Sequence, residues 1–202
     1  LRRTFSVERF FSDITQYLRY VGCEFNTFSL SVPPDGMVQC TFGLLGRSMG
    51  SAAIPVTGAT YPAVSTSSPF DGFTGSLKEG GVTLATITEI QLSLTNGMEP
   101  RFALFNKGSV GNRIGRSILT GSLSAYFEDM DLYSKFLLET ESDIEFELSD
   151  GVNKYTILLP RIKYTGGQPD VSGETDVMLS MPFQALYDVA EDSNVSITRG
   201  AV

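Results

Sequence analysis

Hydrophobic and polar positions alternate with a period of two over much of this chain. In "FNTFSLSV", Phe28, Leu30 and Val32 fall on one side of an extended strand, and Thr27, Ser29 and Ser31 on the other. The turn-forming "PPDG" at Pro33 to Gly36 and a second run, "VQCTFGLL", follow, which predicts a hairpin with a long or irregular turn. "ITEIQLSL" repeats the design up to the turn residues Asn96 and Gly97, and "ILTGSLSAYF" comes after it. Laid over one another, these segments suggest an internal duplication of a two-strand unit. Three more strands are expected near residues 143–149, 154–162 and 174–186, the first two joined at Gly151 and the third set off by "TGGQPDVSG".

One stretch has helical spacing instead. In "EDMDLYSKFLLET", Leu132, Tyr133, Phe136 and Leu137 recur at helical intervals, and Glu128, Asp129 and Asp131 sit where a helix start favours negative charge. A helix over about 129–140 would cover one face of a sheet. The class that follows is mainly β: an antiparallel β-sandwich or barrel with one flanking α-helix, in a single domain spanning residues 1–202.

Two segments carry neither period. Residues 50–75, "GSAAIPVTGATYPAVSTSSPFDGFTG", hold a single charge, Asp71, and loops beyond roughly 12–15 residues without regular structure tend to be functional or disordered. Tyr61, Phe70 and Phe73 point to docking, either against another surface or back on the loop's own domain. In "NKGSVGNRIGRS", residues 106–117, Lys107, Arg113 and Arg116 are interleaved with Gly108, Gly111 and Gly115. The P-loop pattern fails there, because the first required glycine falls on Val110 and Arg116 replaces the lysine. A mobile surface loop, or one that meets an acidic surface of another subunit, fits better.

Composition narrows the chemistry. Aliphatic and aromatic residues make up 42% of the 202 residues and charged residues 19%, as in a folded globular protein. No run approaches the roughly 18 apolar residues of a membrane-spanning helix. The opening "LRRTFSVERFF" has no long apolar run or small-residue cleavage site, so it does not read as a signal peptide, and without an initiator Met it predicts a further N-terminal portion. Cys23 and Cys40 are too few for a disulfide scaffold and read as reduced thiols in a cytoplasmic setting. Histidine is absent, which removes the commonest general base and metal ligand and argues against an ordinary hydrolase or zinc site. A net charge of −8 argues against tight nucleic-acid binding, which needs Lys and Arg on phosphates, but is compatible with DNA passing by.

The remaining candidate chemistry is the comb "ESDIEFELSD". Ile144, Phe146 and Leu148 alternate there with Asp143, Glu145 and Glu147, and no Lys or Arg occurs from Glu139 to Asp150. Carboxylates two residues apart on a strand are about 6.5–7 Å apart, a separation glycoside hydrolysis permits. A flat strand face offers no cleft, however, and the chain has no Trp to stack a sugar. "DGVNKY" after the comb lacks the ligand spacing of a calcium loop. A solvated face whose apolar side packs on the core is the plain reading. No catalytic, metal or cofactor residues are assigned.

Read in order, "SDITQYLRYVGCEFNTFSLSVPPDGMVQCTFGLLGRSM", "FTGSLKEGG", "LTNGMEPRFALF", "TGSLSAYFEDMDLYSKFLLETES", "LPRIKYTGG" and "LSMPFQALYD" resemble the tail tube proteins of long-tailed, non-contractile bacteriophages and prophages. The resemblance spans roughly Phe5 to Thr198 and rests on the series rather than on one motif. It implies a non-enzymatic virion structural protein that assembles in the host bacterial cytoplasm. Its copies would form hexameric rings stacked into a tube, joined to other phage tail proteins, through which the genome is ejected without specific DNA binding. Under that reading Asp143, Glu145 and Glu147 line the lumen, the outer wall or an interface. The loop with Tyr61, Phe70, Asp71 and Phe73, and the basic loop, contact neighbouring subunits. The alternative from another class is a ligand- or carbohydrate-binding, adhesin-like β-sandwich of a tail tip, which would need an exposed aromatic platform or a calcium site.

Overall fold

The computed structural model describes residues 2–72, 75–171 and 176–202. Its strands are β1 (Phe5–Phe11), β2 (Gln16–Val32), β3 (Gln39–Leu45), β4 (Ser48–Ala52), β5 (Gly75–Glu79), β6 (Val82–Thr83), β7 (Ile87–Thr95), β8 (Glu99–Arg101), β9 (Gly111–Arg113) and β10 (Ile118–Tyr126). The helix α1 (Asp131–Leu137) follows, then β11 (Glu141–Ser149), β12 (Asn153–Tyr164), β13 (Gln168–Asp170), β14 (Met178–Ala185) and β15 (Ser196–Ala201). The protein is thus mainly antiparallel β with one helix, the class its alternating pattern predicts. The chain forms two compact units, one of residues 1–28, 42–66 and 95–117, the other of residues 29–41, 67–94 and 118–202.

In the first unit β2 is the spine. β1 runs antiparallel to it from Phe5↔Cys23 to Phe11↔Gln16, and β4 from Tyr17↔Ala52 to Val21↔Ser48. The β1–β2 register slips between Phe5 and Val7, so that Val21 and Gly22 share one opposing residue. Gly22 holds φ +66° at this bulge, and a Cβ there would fall 2.7 Å from Arg47 Cδ, so both backbone and space favour glycine. β8 and β9 form a separate hairpin, from Glu99↔Arg113 to Arg101↔Gly111.

In the second unit the hydrogen-bonded order is β7-β10-β14-β12-β11-β5-β6, with β13 beside β14 and β15 beside β12. The inward residues of each strand meet in one apolar core: Ile90 and Leu92, Leu119 and Leu123, Leu179, Met181 and Phe183, Ile157, Leu159 and Ile162, and Ile144 and Phe146, all almost wholly buried. Gly121 lets β7 and β10 close up, since a Cβ there would lie 2.5 Å from Gln91 O and 2.5 Å from Phe183 Cζ. β12 changes partner along one edge, pairing with β15 over Asn153–Leu158 and with β14 over Ile162–Tyr164. Pro160, which has no N–H to donate, lies between the two segments. It also lies where the β11–β12 register slips between Ser142 and Ile144.

The helix is shorter than the 129–140 expected. Asp129 Oδ1 accepts Asp131 N at 2.9 Å, which turns the chain just before the first helical residue. At the other end Glu139 adopts φ +54°. Glu139 N donates to Phe136 O (3.1 Å) and Thr140 N to Lys135 O (2.9 Å), the paired bonds of a Schellman stop.

Candidate assembly site

Strand β11 places Ile144, Phe146 and Leu148 inward, buried, with Asp143, Glu145 and Glu147 half-buried on the opposite face. Its missing cations come from the neighbouring strands. Lys78 of β5, directly opposite Glu145 in register, donates to Glu145 Oε1 at 2.8 Å. Lys154 of β12 donates to Glu147 Oε1 at 3.1 Å, and Thr156 Oγ1 to the same oxygen at 3.3 Å. Arg161 grips Glu141 with two bonds of 2.6 and 2.8 Å, and Lys163 meets Glu139 at 2.7 Å. The Lys154 ammonium holds the Glu147 carboxyl below its ordinary range against the opposing effect of burial, and Lys78 is in turn held charged by Glu145. Among the described residues Asp143 has no ion pair. The comb is therefore a cross-strand charge ladder.

The loop after β4 is fixed at both ends. Near its start, Glu8 of β1 accepts the Tyr61 hydroxyl, Val56 N (3.2 Å) and Arg19 Nε (2.7 Å), while Arg19 also donates to Ile54 O. The Tyr61 and Arg19 donors lower the Glu8 carboxyl's pKa. Near its end, Phe70 packs edge-on against Tyr155 with ring centroids 5.6 Å apart. Val38 N donates to Phe70 O at 2.9 Å, and Asp71 bridges Met37 through the backbone. Phe73 lies outside the described residues. Residues 62–69 form the arc between these anchors, with Val64 92% exposed.

The basic segment 106–117 is divided. Arg113 sits on β9 and pairs with Glu99 across the hairpin at 2.6 Å. Lys107 and Arg116 are exposed and form no ion pair among the described residues.

Two buried polar clusters join residues too far apart in the chain for motif reading to connect. In the first unit Arg2 grips the buried Glu24 through Nε and Nη2, and Asn112 Nδ2 donates to Glu24 Oε2 at 2.8 Å. Arg2 also donates to Asn112 O at 2.7 Å, and Asn112 Oδ1 is buried without a partner among the described residues. Arg2, then Asn112, lower the Glu24 carboxyl's pKa, partly opposed by burial. In the second unit Glu79, 3% exposed, accepts Lys135 of α1 and the Tyr164 hydroxyl (3.2 Å), which ties the helix to the sheet. Burial, then the Glu79 charge, push the Tyr164 phenol far above its ordinary range.

A concave, uncharged face of about 450 Å³ beside β7 and β10 is lined by Ser29, Gln39, Gln91, Ser93, Thr120 and neighbours, with no aromatic ring among them. It therefore lacks the aromatic platform of a sugar-binding surface. Among the described residues no group of three or more His, Cys, Asp or Glu could hold a metal ion, and no helix is long and apolar enough to cross a membrane.

No curated protein matches the chain. Residues 2–185 match the family model of phage tail tube proteins, a stretch that takes in every element from β1 through β14. The chain belongs to the phage tail tube protein family and is a structural component of a virion tail.

Proposed function

We propose that this protein is the major tail tube subunit, that its copies close into hexameric rings, and that these rings stack into the conduit for genome ejection. The observation that carries the reading, beside the family, is the state of the strand edges. β1 pairs with β2 alone and β15 with β12 alone among the described residues, so each presents an open row of backbone donors and acceptors. Such edges invite aggregation in a free monomer, and a closed ring of identical copies covers them. The whole chain acts as one tail tube domain, without catalytic residue, metal or cofactor, assembled in the host cytoplasm and joined there to other tail proteins.

A net charge of −8 suits a conduit that DNA crosses without sticking, because few cations are available to displace counterions from phosphates. Asp143, Glu145 and Glu147 belong to the lumen wall or a subunit contact. The arc 62–69 between Tyr61 and Phe70–Asp71, and the exposed Lys107 and Arg116, reach neighbouring copies.

Electron microscopy of the purified chain over a range of concentrations tests the reading. Rings of six copies and stacked tubes are expected, and a reconstruction places the acidic strand and both loops. Monodisperse monomers under every condition would sink the proposal, and an acidic strand on the outer wall would sink its assignment.

A further inference from the structure

The connection between β8 and β9 carries three large apolar side chains almost wholly in solvent: Phe102, Leu104 and Phe105 are 72, 87 and 106% exposed. The tip is nonetheless held in shape. Val110 N donates to Arg101 O at 2.8 Å, Asn106 N to Ala103 O at 3.4 Å, and Gly108 N to Asn106 Oδ1 at 3.1 Å. Leu104 and Phe105 are the central residues of the resulting tight turn. Phe105 takes φ +64°, a position where glycine is the ordinary occupant and a bulky residue is an outlier. Two costs therefore fall on one residue, a fully hydrated ring and a left-handed backbone, and glycine would remove both. Strain of this kind clusters where a side chain is used.

The same unit offers an apolar surface that stays about half exposed among the described residues. Phe5, Phe25 and Phe42, on β1, β2 and β3, are 45, 43 and 55% exposed. Their ring centroids are 5.2 Å (Phe5–Phe25) and 5.4 Å (Phe25–Phe42) apart, and Phe28 extends the row at 5.2 Å from Phe42. The tip of the same copy does not cover this ladder, since Phe105 is fully exposed.

We propose that the Phe102–Phe105 tip of one copy seats on the phenylalanine ladder of a second copy, an inference that rests on the tube-subunit reading. Tip and ladder are different surfaces, so the contact is heterologous. Each new copy leaves one tip and one ladder free, and the contact propagates instead of closing as a dimer. Area favours this occupant. At roughly 200 Å² for a fully exposed phenylalanine, the tip offers about 500 Å² and the ladder about 300 Å². Their sum falls short of the roughly 1,200–2,000 Å² of a stable pairwise interface, so one such contact is weak alone and holds when many copies repeat it beside other contacts.

The test uses the full chain with Cys40→Ser, in two versions, Phe105→Cys and Phe42→Cys, mixed and treated with a short bis-maleimide cross-linker. Mass spectrometry should find residue 105 of one copy joined to residue 42 of another. The separate variant Phe105→Gly should keep or raise the melting temperature while slowing polymerisation at least tenfold. A mixture without that cross-link, Phe105→Cys joining chiefly to itself, chain bound to phosphatidylglycerol vesicles through the tip, or Phe105→Gly polymerising like the parent would each overturn the contact. Failure of the tube reading is recognised separately, by the parent chain lacking rings and tubes in the microscope, because cross-linking between copies is scored whether or not tubes form.

Discussion

Glu79 shows how one buried charge fastens an element. It sits on β5 with 3% of its surface exposed, so its carboxylate is tolerable only with partners, which are the Lys135 ammonium and the Tyr164 hydroxyl. Glu79→Gln keeps the shape but leaves the Lys135 charge half-buried beside a neutral amide, and should cost about 2–3 kcal/mol in urea unfolding, at the lower end for a broken buried pair because Lys135 stays partly wetted. The sign of the linked pH effect follows from Tyr164. Its phenol is pushed upward in the folded chain while the unfolded chain ionises at its ordinary pH near 10, so the folded state holds the extra proton. Stability is therefore fully present below pH ~10 and lost as pH rises above it. Ultraviolet titration should show one phenol that ionises only with unfolding, and a phenol that titrates normally in the folded chain would contradict the cluster. Residues 79, 135 and 164 share no sequence motif. Nothing in local pattern could join them, nor Arg2 to Glu24 and Asn112.

At the scale of elements, the period-two reading was legible wherever a strand packs one face on the apolar core. β11 is the clearest case, with Ile144, Phe146 and Leu148 inward, and the second half of β2, around Leu30, and β7 follow the same rule, whereas β3 alternates in sequence but leaves Cys40, Phe42 and Leu44 exposed. β1 and the start of β2 were not legible, because Phe5, Phe10, Val21 and Phe25 are exposed apolar residues and no clean inside–outside alternation results. The helix was overextended for a different reason: Leu137 and Leu138 continue its pattern but lie 58 and 75% exposed, beyond the reach of the core. The backbone stops there at Glu139 in a left-handed conformation that glycine adopts without a Cβ penalty. Glu139→Gly removes roughly 1 kcal/mol of backbone strain, and gives up only a solvent-screened surface pair with Lys163. Thermal unfolding should show the variant as stable as the parent or up to ~1 kcal/mol more so, and a clear loss would mean that the ion pair, not the turn, governs this end of the helix.

The two units of the molecule differ in what holds them together. Among the described residues the second unit contains every buried apolar side chain except Cys23. The first unit buries Cys23, Glu24, Ser109 and Asn112, while Phe5, Phe25, Phe42, Phe102, Leu104 and Phe105 stand in solvent. Burial of apolar surface is the main favourable contribution to folding, at about 25 cal/mol per Å², so a unit that leaves many of its aromatic residues exposed and none fully buried relies more on strand pairing and the Arg2–Glu24–Asn112 network, and opens more readily. That shortage has a physical use in a tube subunit. Under the proposed assembly, surface left uncovered in the free chain is covered by neighbouring copies, and the first unit then gains the core it lacks alone. Hydrogen exchange followed by mass spectrometry tests this directly. In the free chain, amides of residues 2–28, 42–66 and 95–113 should exchange at least tenfold faster than those of β10, β12 and β14, and assembly should slow the first group far more than the second. Equal protection of both groups in the free chain, or slowing confined to the second unit, would show that the exposed aromatic residues of the first unit are not where assembly adds stability.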